Sequence, residues 1–232
     1  MITELRDLLL SSEIKDNIAK VVLFGSHAKG KASAGSDIDV LVLTTENSKT
    51  EQLLMEKIYD FILDYDVPLE VFVDGIDSLY LNRDYFTYNV LRYGQEIYSM
   101  DTNHIKTAML GKLKDLAEEY LDSAQEVLEN KRIRLAVDAG YNASELAAKG
   151  LILLEQDDLP GSHGGIVSTF GQLYVKTAKI DKSIGRELNR ALQLRNMARY
   201  KPDSILDRRD AEGVMELAGG LIALLSDKVR AL

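Results

Sequence analysis

The chain contains no cysteine and only three histidines, His27, His104 and His163, among its 232 residues. The first absence excludes disulfides and thiolate metal sites and fits a reducing compartment, while the second leaves little material for a zinc centre built from imidazoles. Any metal work falls to oxygen ligands. No apolar run reaches the length that spans a bilayer, and Met1-Ile2-Thr3-Glu4 lacks the basic start of a secretory signal, so a cytoplasmic location with no membrane partner is expected. Positive charge is also short: 28 Lys and Arg against 37 Asp and Glu leave a net charge of −9. That balance argues against broad, non-specific nucleic-acid binding, though a local basic cleft stays open. Internal repeats and low-complexity segments are missing too. What is present is a 46% hydrophobic content, enough for a core in one large or two modest domains.

The two halves carry different periodicities. Ile2, Leu5, Leu8, Leu9 and Ile18 are spaced for an amphipathic leading helix, after which Lys20 to Phe24 and Ile38 to Leu43 are short, apolar and β-branched and predict buried strands. Helical spacing returns over 49–65, Pro68 introduces a third strand from Leu69 to Val73, a helix is expected from Asp84 to Tyr93, and Glu96 to Ser99 reads as a short closing strand. From about Asn103 strand signals vanish, and helical patterns cover 104–129, 131–155, 164–178, 182–200 and 207–231. The expected architecture is an α/β domain over residues 1–101, a small mixed sheet with flanking helices, followed by an all-α helical bundle over 102–232. The boundary falls at Met100-Asp101-Thr102-Asn103, with Thr102 or Asn103 suited to cap the next helix.

The chemistry concentrates in Gly25-Ser26-His27-Ala28-Lys29-Gly30 and, further on, Asp37-Ile38-Asp39-Val40. Alternation along a strand points Asp37 and Asp39 the same way while Ile38 and Val40 enter the core. Adjacent carboxylates repel unless a hard cation neutralises them, and Mg²⁺ is normally held by one or two carboxylates together with substrate phosphates. Gly25 permits a sharp turn and removes the side chain that would block a phosphate, and Ser26 offers a hydroxyl and a backbone N–H. If Ser26 also opens a short helix, its first amides add partial positive charge. Lys29 and Lys31 bring full charges, and His27 is open between a phosphate contact and an ordinary loop residue.

Gly25-Ser26, ten intervening residues and Asp37-x-Asp39 resemble the signature of the DNA polymerase β superfamily of nucleotidyltransferases in its minimal form. The resemblance extends over roughly residues 20–98, since Asn89 to Tyr98 is similar to the closing segment of those domains. It implies two carboxylates on one strand and a third on a neighbour, together holding two Mg²⁺ ions that bind a triphosphate and activate a hydroxyl. Carried over, Asp37 and Asp39 are the metal pair and Glu70 the third carboxylate, with Asp66 and Asp74 as rivals. Gly25, Ser26, Lys29 and Gly30 are the nucleotide-binding residues. Two cations about 3.5–4 Å apart can clamp the attacking and leaving oxygens of an in-line displacement.

Gly161-Ser162-His163-Gly164-Gly165 with Ile166 to Phe170, and Leu192 to Tyr200, resemble HEPN domains, helical bundles often encoded or fused beside minimal nucleotidyltransferases. In the helix 182–200, about 100° per residue places Arg195 and Arg199 on the stripe of Leu188 and Leu192. An arginine there must find a carboxylate, a phosphate or a partner surface, unless the stripe emerges into solvent near Lys201-Pro202. Ribonuclease members of the group follow their Arg with a His. Here Arg195-Asn196 is followed by Arg199 and Tyr200 and no histidine lies beyond His163, so the pattern is closer to the subgroup reading Arg-x-x-Ala-Asp-Tyr, with Arg199 in place of its Asp. His163 serves in that role only if the fold brings it there. In toxin–antitoxin pairs some minimal nucleotidyltransferases add AMP to a tyrosine of a HEPN partner, which makes Tyr200 a conceivable acceptor.

Together the resemblances imply a Mg²⁺-dependent nucleotidyltransferase that moves a nucleoside monophosphate, AMP from ATP by cellular abundance, to an unknown hydroxyl acceptor. The helical domain is expected to shape the acceptor site and a homodimer. The alternative is a nucleotide-regulated HEPN effector of toxin–antitoxin type that acts on RNA.

Overall fold

The structure, a computed structural model, describes residues 1–11, 13–33, 35–46, 48–81 and 84–231. The chain forms two compact units, Met1–Ala108 and Met109–Leu232. The elements of the first are α1 (Ile2–Ser11), β1 (Ile18–Phe24), α2 (Gly25–Ala28), β2 (Ile38–Thr44), α3 (Ser48–Tyr65), β3 (Leu69–Gly75), α4 (Tyr85–Tyr93) and β4 (Gln95–Ser99). The expected mixed sheet is present, four strands in the order β3-β2-β1-β4. Strand β1 runs antiparallel to β2 and β4, and β2 runs parallel to β3. The leading helix is shorter than its apolar spacing suggests: α1 ends at Ser11, and Ile18 opens β1 instead.

Alternation sorts the strand residues between two faces. Val21, Leu23, Ile38, Val40 and Val42 point to a core closed by Leu5 and Leu9 of α1 and by Leu54, Ile58 and Phe61 of α3. Those helical residues recur every three or four positions, so each helix buries a single stripe. The opposite face holds Phe24, Asp39 and Glu70 at one end. Further along it, α4 lies close: a Cβ on Gly94 would meet Val22 Cγ1 and the Val90 carbonyl oxygen, both at 2.5 Å, so only glycine fits there. Helix α4 starts cleanly because the Asp84 carboxylate accepts hydrogen bonds from Thr87 N at 2.9 Å and Thr87 Oγ1 at 2.8 Å.

Helix α5 (Thr102–Glu129) passes through the division between the units, and the boundary expected at 101/102 lies at its start. Its cap is Asp101, whose Oδ1 accepts from the backbone of Asn103 and His104 at 2.9 and 3.3 Å, rather than Thr102 or Asn103. Helices α6 (Ile133–Glu155), α7 (His163–Phe170), α8 (Lys182–Tyr200) and α9 (Arg208–Arg230) complete the second unit. The helix expected over 164–178 is α7 followed by a π-helical turn, Gly171–Val175, which places Tyr174 with its hydroxyl donating to the Leu151 carbonyl at 2.7 Å. Helix α6 is buried along most of its length and packs against α7, α8 and α9. Among the described residues no helix is long and apolar enough to cross a membrane.

Candidate functional site

In the first unit, β1 ends at Phe24 and the chain turns at Gly25, whose φ is +67°. A side chain here is excluded twice over, because a Cβ would also fall 1.8 Å from Asp39 Oδ2. The glycine is therefore the floor against which the Asp39 carboxylate rests. Register sets the neighbours: Asp39 lies opposite Phe24 on one side and Glu70 on the other. Of the three acidic residues that could accompany Asp39, Glu70 shares its row. Asp74 pairs with Leu43, four positions along β3, and its Oδ1 accepts from Gly75 N at 2.8 Å. Asp66 sits off the sheet, in the turn after α3, with φ +50°.

Asp37 is exposed and stands just before β2, while Asp39 and Glu70 lie on the strands, half-buried and exposed respectively. His27 braces this stretch, with Nε2 3.2 Å from the Ser36 carbonyl oxygen. Further bonds from Lys31 N to Ser26 O at 3.0 Å and Gly30 N to His27 O at 3.2 Å fold the loop back on itself. Ser26 is half-buried, Lys29 and Lys31 are exposed, and Gly30 takes φ +63° with open space where a Cβ would be. Among the described residues no three acidic or histidine side chains converge into a closed cation cage. The donor set nevertheless suits a hard ion, since Mg²⁺ takes oxygen ligands and usually completes its shell with waters and substrate phosphates. The place a Cβ at Gly25 would take is filled by the Asp39 carboxylate, which packs against the bare glycine.

In the second unit the arginine stripe finds its carboxylate. Arg195 is 5% exposed, and its Nε lies 3.6 Å from Asp138 Oδ1. Arg199, further toward solvent, grips the same carboxylate with both prongs, Nε–Oδ1 at 2.6 Å and Nη2–Oδ2 at 2.9 Å. Arg195 Nη1 also donates to Asn196 Oδ1 at 3.2 Å, and its guanidinium lies 5.6 Å from the centre of the Tyr200 ring, itself 67% exposed. Arg195 Nε is buried without a hydrogen-bond partner. Arg134 secures this end of α8 by donating to the carbonyl oxygens of Met197, Ala198, Lys201, Pro202 and Ser204 at 2.7–3.1 Å.

Sequence reasoning missed Asp138, Arg134, Tyr141 and Glu145. Their signal was a polar stripe on an otherwise apolar helix: Arg134, Asp138, Tyr141 and Glu145 recur at three- or four-residue steps along α6. Glu145 is buried, accepts from Tyr141 at 2.7 Å and Lys149 at 2.9 Å, and also bonds His163 Nδ1. Burial alone would raise its carboxyl, yet hydrogen bonds from Lys149, His163 and Tyr141 hold it below the ordinary carboxylate range. Burial and the neighbouring Glu145 push the Tyr141 phenol up, against the positive charge of Arg195, so Tyr141 stays neutral and donates. His163 thus ties α7 to α6.

These pKa shifts make a pH prediction. The unfolded chain binds the Glu145 proton more readily than the folded one, so the carboxylate's contribution is whole above about pH 4.3 and is lost as pH falls through the folded value. Urea unfolding should show wild type more stable than Glu145→Gln at pH 7, with the gap closing at acid pH. A gap that widens there would reverse the assignment.

Comparison with known proteins follows this division. The family model for the HEPN domain matches residues 111–228, and the model described as polymerase beta, nucleotidyltransferase matches residues 9–103. The chain is 33% identical over 103 residues to a putative toxin of Methanocaldococcus jannaschii, an alignment covering 44% of this chain and 75% of that protein. It is 30% identical over 88 residues to a putative protein adenylyltransferase of the same organism, covering 38% and 87%. A protein of Thermotoga maritima, named only as UPF0332, is 29% identical over 113 residues, covering 46% and 85%.

Proposed function

We propose that this chain, which belongs to the HEPN family over residues 111–228 and carries a polymerase β-type nucleotidyltransferase domain over residues 9–103, transfers AMP from Mg·ATP to a hydroxyl acceptor. The observation that carries the reading is the row formed by Asp39 and Glu70 beside a Gly25 that has no room for a side chain. The relative named as a protein adenylyltransferase supports ATP as donor.

Asp37, Asp39 and Glu70 are the residues that would hold the ion. Bound there, Mg²⁺ offsets the charge of the triphosphate and activates the attacking hydroxyl. Gly25 and Gly30 let phosphate oxygens approach the backbone, Ser26 donates from its hydroxyl, and Lys29 adds positive charge at the loop. His27, through Ser36, keeps the segment leading into Asp37 in place. The acceptor hydroxyl releases its proton to solvent as its oxygen bonds to the α-phosphorus, the bond to the oxygen bridging the α- and β-phosphorus breaks, and pyrophosphate leaves.

The remaining parts of the reading concern context. Two copies pair through the helical unit. A role in a toxin–antitoxin pair draws on the relative named as a putative toxin, and the lack of cysteine suits work in the cytoplasm. A second reading, an RNA-directed HEPN effector, is favoured by one feature, the buried Arg195 Nε that makes no hydrogen bond although Asp138 Oδ1 lies 3.6 Å away.

One experiment separates the two. The full chain is incubated with ATP labelled at the α-phosphate, Mg²⁺ and a cell lysate, and in parallel with RNA in EDTA. Magnesium-dependent pyrophosphate release with label on a lysate component is the expected result. Cleavage of RNA in EDTA that disappears in Arg195→Ala, without pyrophosphate release, would replace the first reading by the second.

A further inference from the structure

Three phenylalanine rings stand beside the acidic row, and nothing in the transfer of a phosphoryl group calls for them. Phe24 lies next to Asp39 across the sheet, and Phe72 lies two positions beyond Glu70 on the same face of β3. Phe86, from the first turn of α4, closes over both: its ring centre is 5.4 Å from that of Phe24 and 4.9 Å from that of Phe72, and Phe24 and Phe72 are 5.7 Å apart. Were these rings simply core, they would be covered. Phe72 is 36% exposed and Phe86 41%. The wall is continuous with the candidate site at both ends, since Phe24 precedes Gly25 and Glu70 leads to Phe72 along one strand.

The chemistry of an in-line displacement says what such a wall meets. Attacking oxygen, phosphorus and leaving oxygen lie on one line, and the nucleoside hangs from one of the three oxygens perpendicular to it. A pyrophosphate at the turn after β1 and an ion held by Asp39 on β2 and Glu70 on β3 would set that line across the strands. The directions then open to the nucleoside include the one along the strands. In that direction Asp39 and Glu70 are succeeded on the same face by buried Leu41 and by Phe72, with Phe86 above. Two residues of strand advance about 6.6 Å, comparable to the span of a ribose. The geometry points to Phe72 and Phe86, backed by Phe24, as the surface on which the base of the donor nucleotide stacks, which makes the donor a purine nucleoside triphosphate. The inference rests on the transferase reading and adds the base subsite to it. Stacking on phenylalanine requires no hydrogen-bond code, so the wall favours the larger purine face over a pyrimidine and distinguishes adenine from guanine weakly.

Binding measurements on the full chain test this, with Mg·tripolyphosphate as a probe that has no base. Phe86→Ala and Phe72→Ala are each expected to weaken Mg·ATP binding roughly tenfold, and to leave Mg·tripolyphosphate binding unchanged. Phe86→Leu keeps an apolar side chain in place should the alanine variant unfold, and is expected to lose most of the same affinity. The chain has no tryptophan, so 2-aminopurine riboside triphosphate can be excited without that background, and its fluorescence should be quenched by wild type and restored in the variants. Unchanged ATP affinity and quenching in all three variants would overturn the base subsite while leaving the transferase reading intact. Equal loss of both ligands in variants that remain folded would also overturn it, marking the rings as scaffold. Failure of wild type to bind either probe would bring down the transferase reading and this inference with it.

Discussion

Replacing Asp39 with Asn is expected to lower nucleotidyl transfer about a hundred- to a thousandfold, the order lost when one preorganised electrostatic group is removed from a reacting centre. The amide is nearly the same shape as the carboxylate. It can lie in the same half-buried position, against the floor left by Gly25, so thermal unfolding should barely change. What the substitution removes is charge, in a row where Glu70 supplies the neighbouring negative oxygens. Chelation of divalent ions should reproduce the loss in wild type. Pyrophosphate release is the readout, and a variant that still turned over at the wild-type rate would remove Asp39 from the chemistry and the ion from this end of the sheet.

The second large effect is on stability and belongs to the helical unit. Asp138→Ala leaves Arg195, 5% exposed, facing an apolar gap where its carboxylate stood, and Arg199 loses a bidentate partner. Breaking a buried ion pair from one side costs about 3–5 kcal/mol, because the remaining charge stays desolvated. The 3.6 Å separation from Arg195 Nε and the partial exposure of Asp138 place the expected loss toward the lower end, about 3 kcal/mol. The double variant Asp138→Ala/Arg195→Met removes both charges and should recover most of that loss. Denaturant unfolding of the four proteins of the cycle measures it, and additive effects in the double variant would mean that the two side chains do not depend on each other.

These two sites differ in how far the sequence discloses them. Asp39 is visible because everything that marks it is local: a glycine-serine turn, a short loop and carboxylates one residue apart at the head of an apolar strand. Glu70 is less visible, since its companionship with Asp39 depends on the register of a parallel pair whose strands are joined through α3. A slip of one residue would turn it to the other face. Arg195 announces itself as a charge on an apolar stripe that needs a carboxylate, a phosphate or a partner surface, and of these the structure places the Asp138 carboxylate beside it. Asp138, the carboxylate in question, lies 57 positions earlier on another helix, where it looks like any polar residue between Ala136 and Gly140. The three phenylalanines lie far apart along the chain, on two strands and a helix. Only the closing of α4 over the sheet brings them together.

What the sequence by itself determined was the division into an α/β and an all-helical part, the strands and nearly every helix, and the residue types able to hold a cation and a phosphate. Period, caps and turns act over a few residues and leave their imprint in order along the chain. The tertiary structure alone decided which acidic residue stands beside Asp39, which carboxylate receives Arg195, and that Glu145 joins Tyr141, His163 and Lys149. Each of these pairings follows from which element packs on which. That choice is settled by burying apolar surface across the whole unit and so cannot be assigned to any one segment.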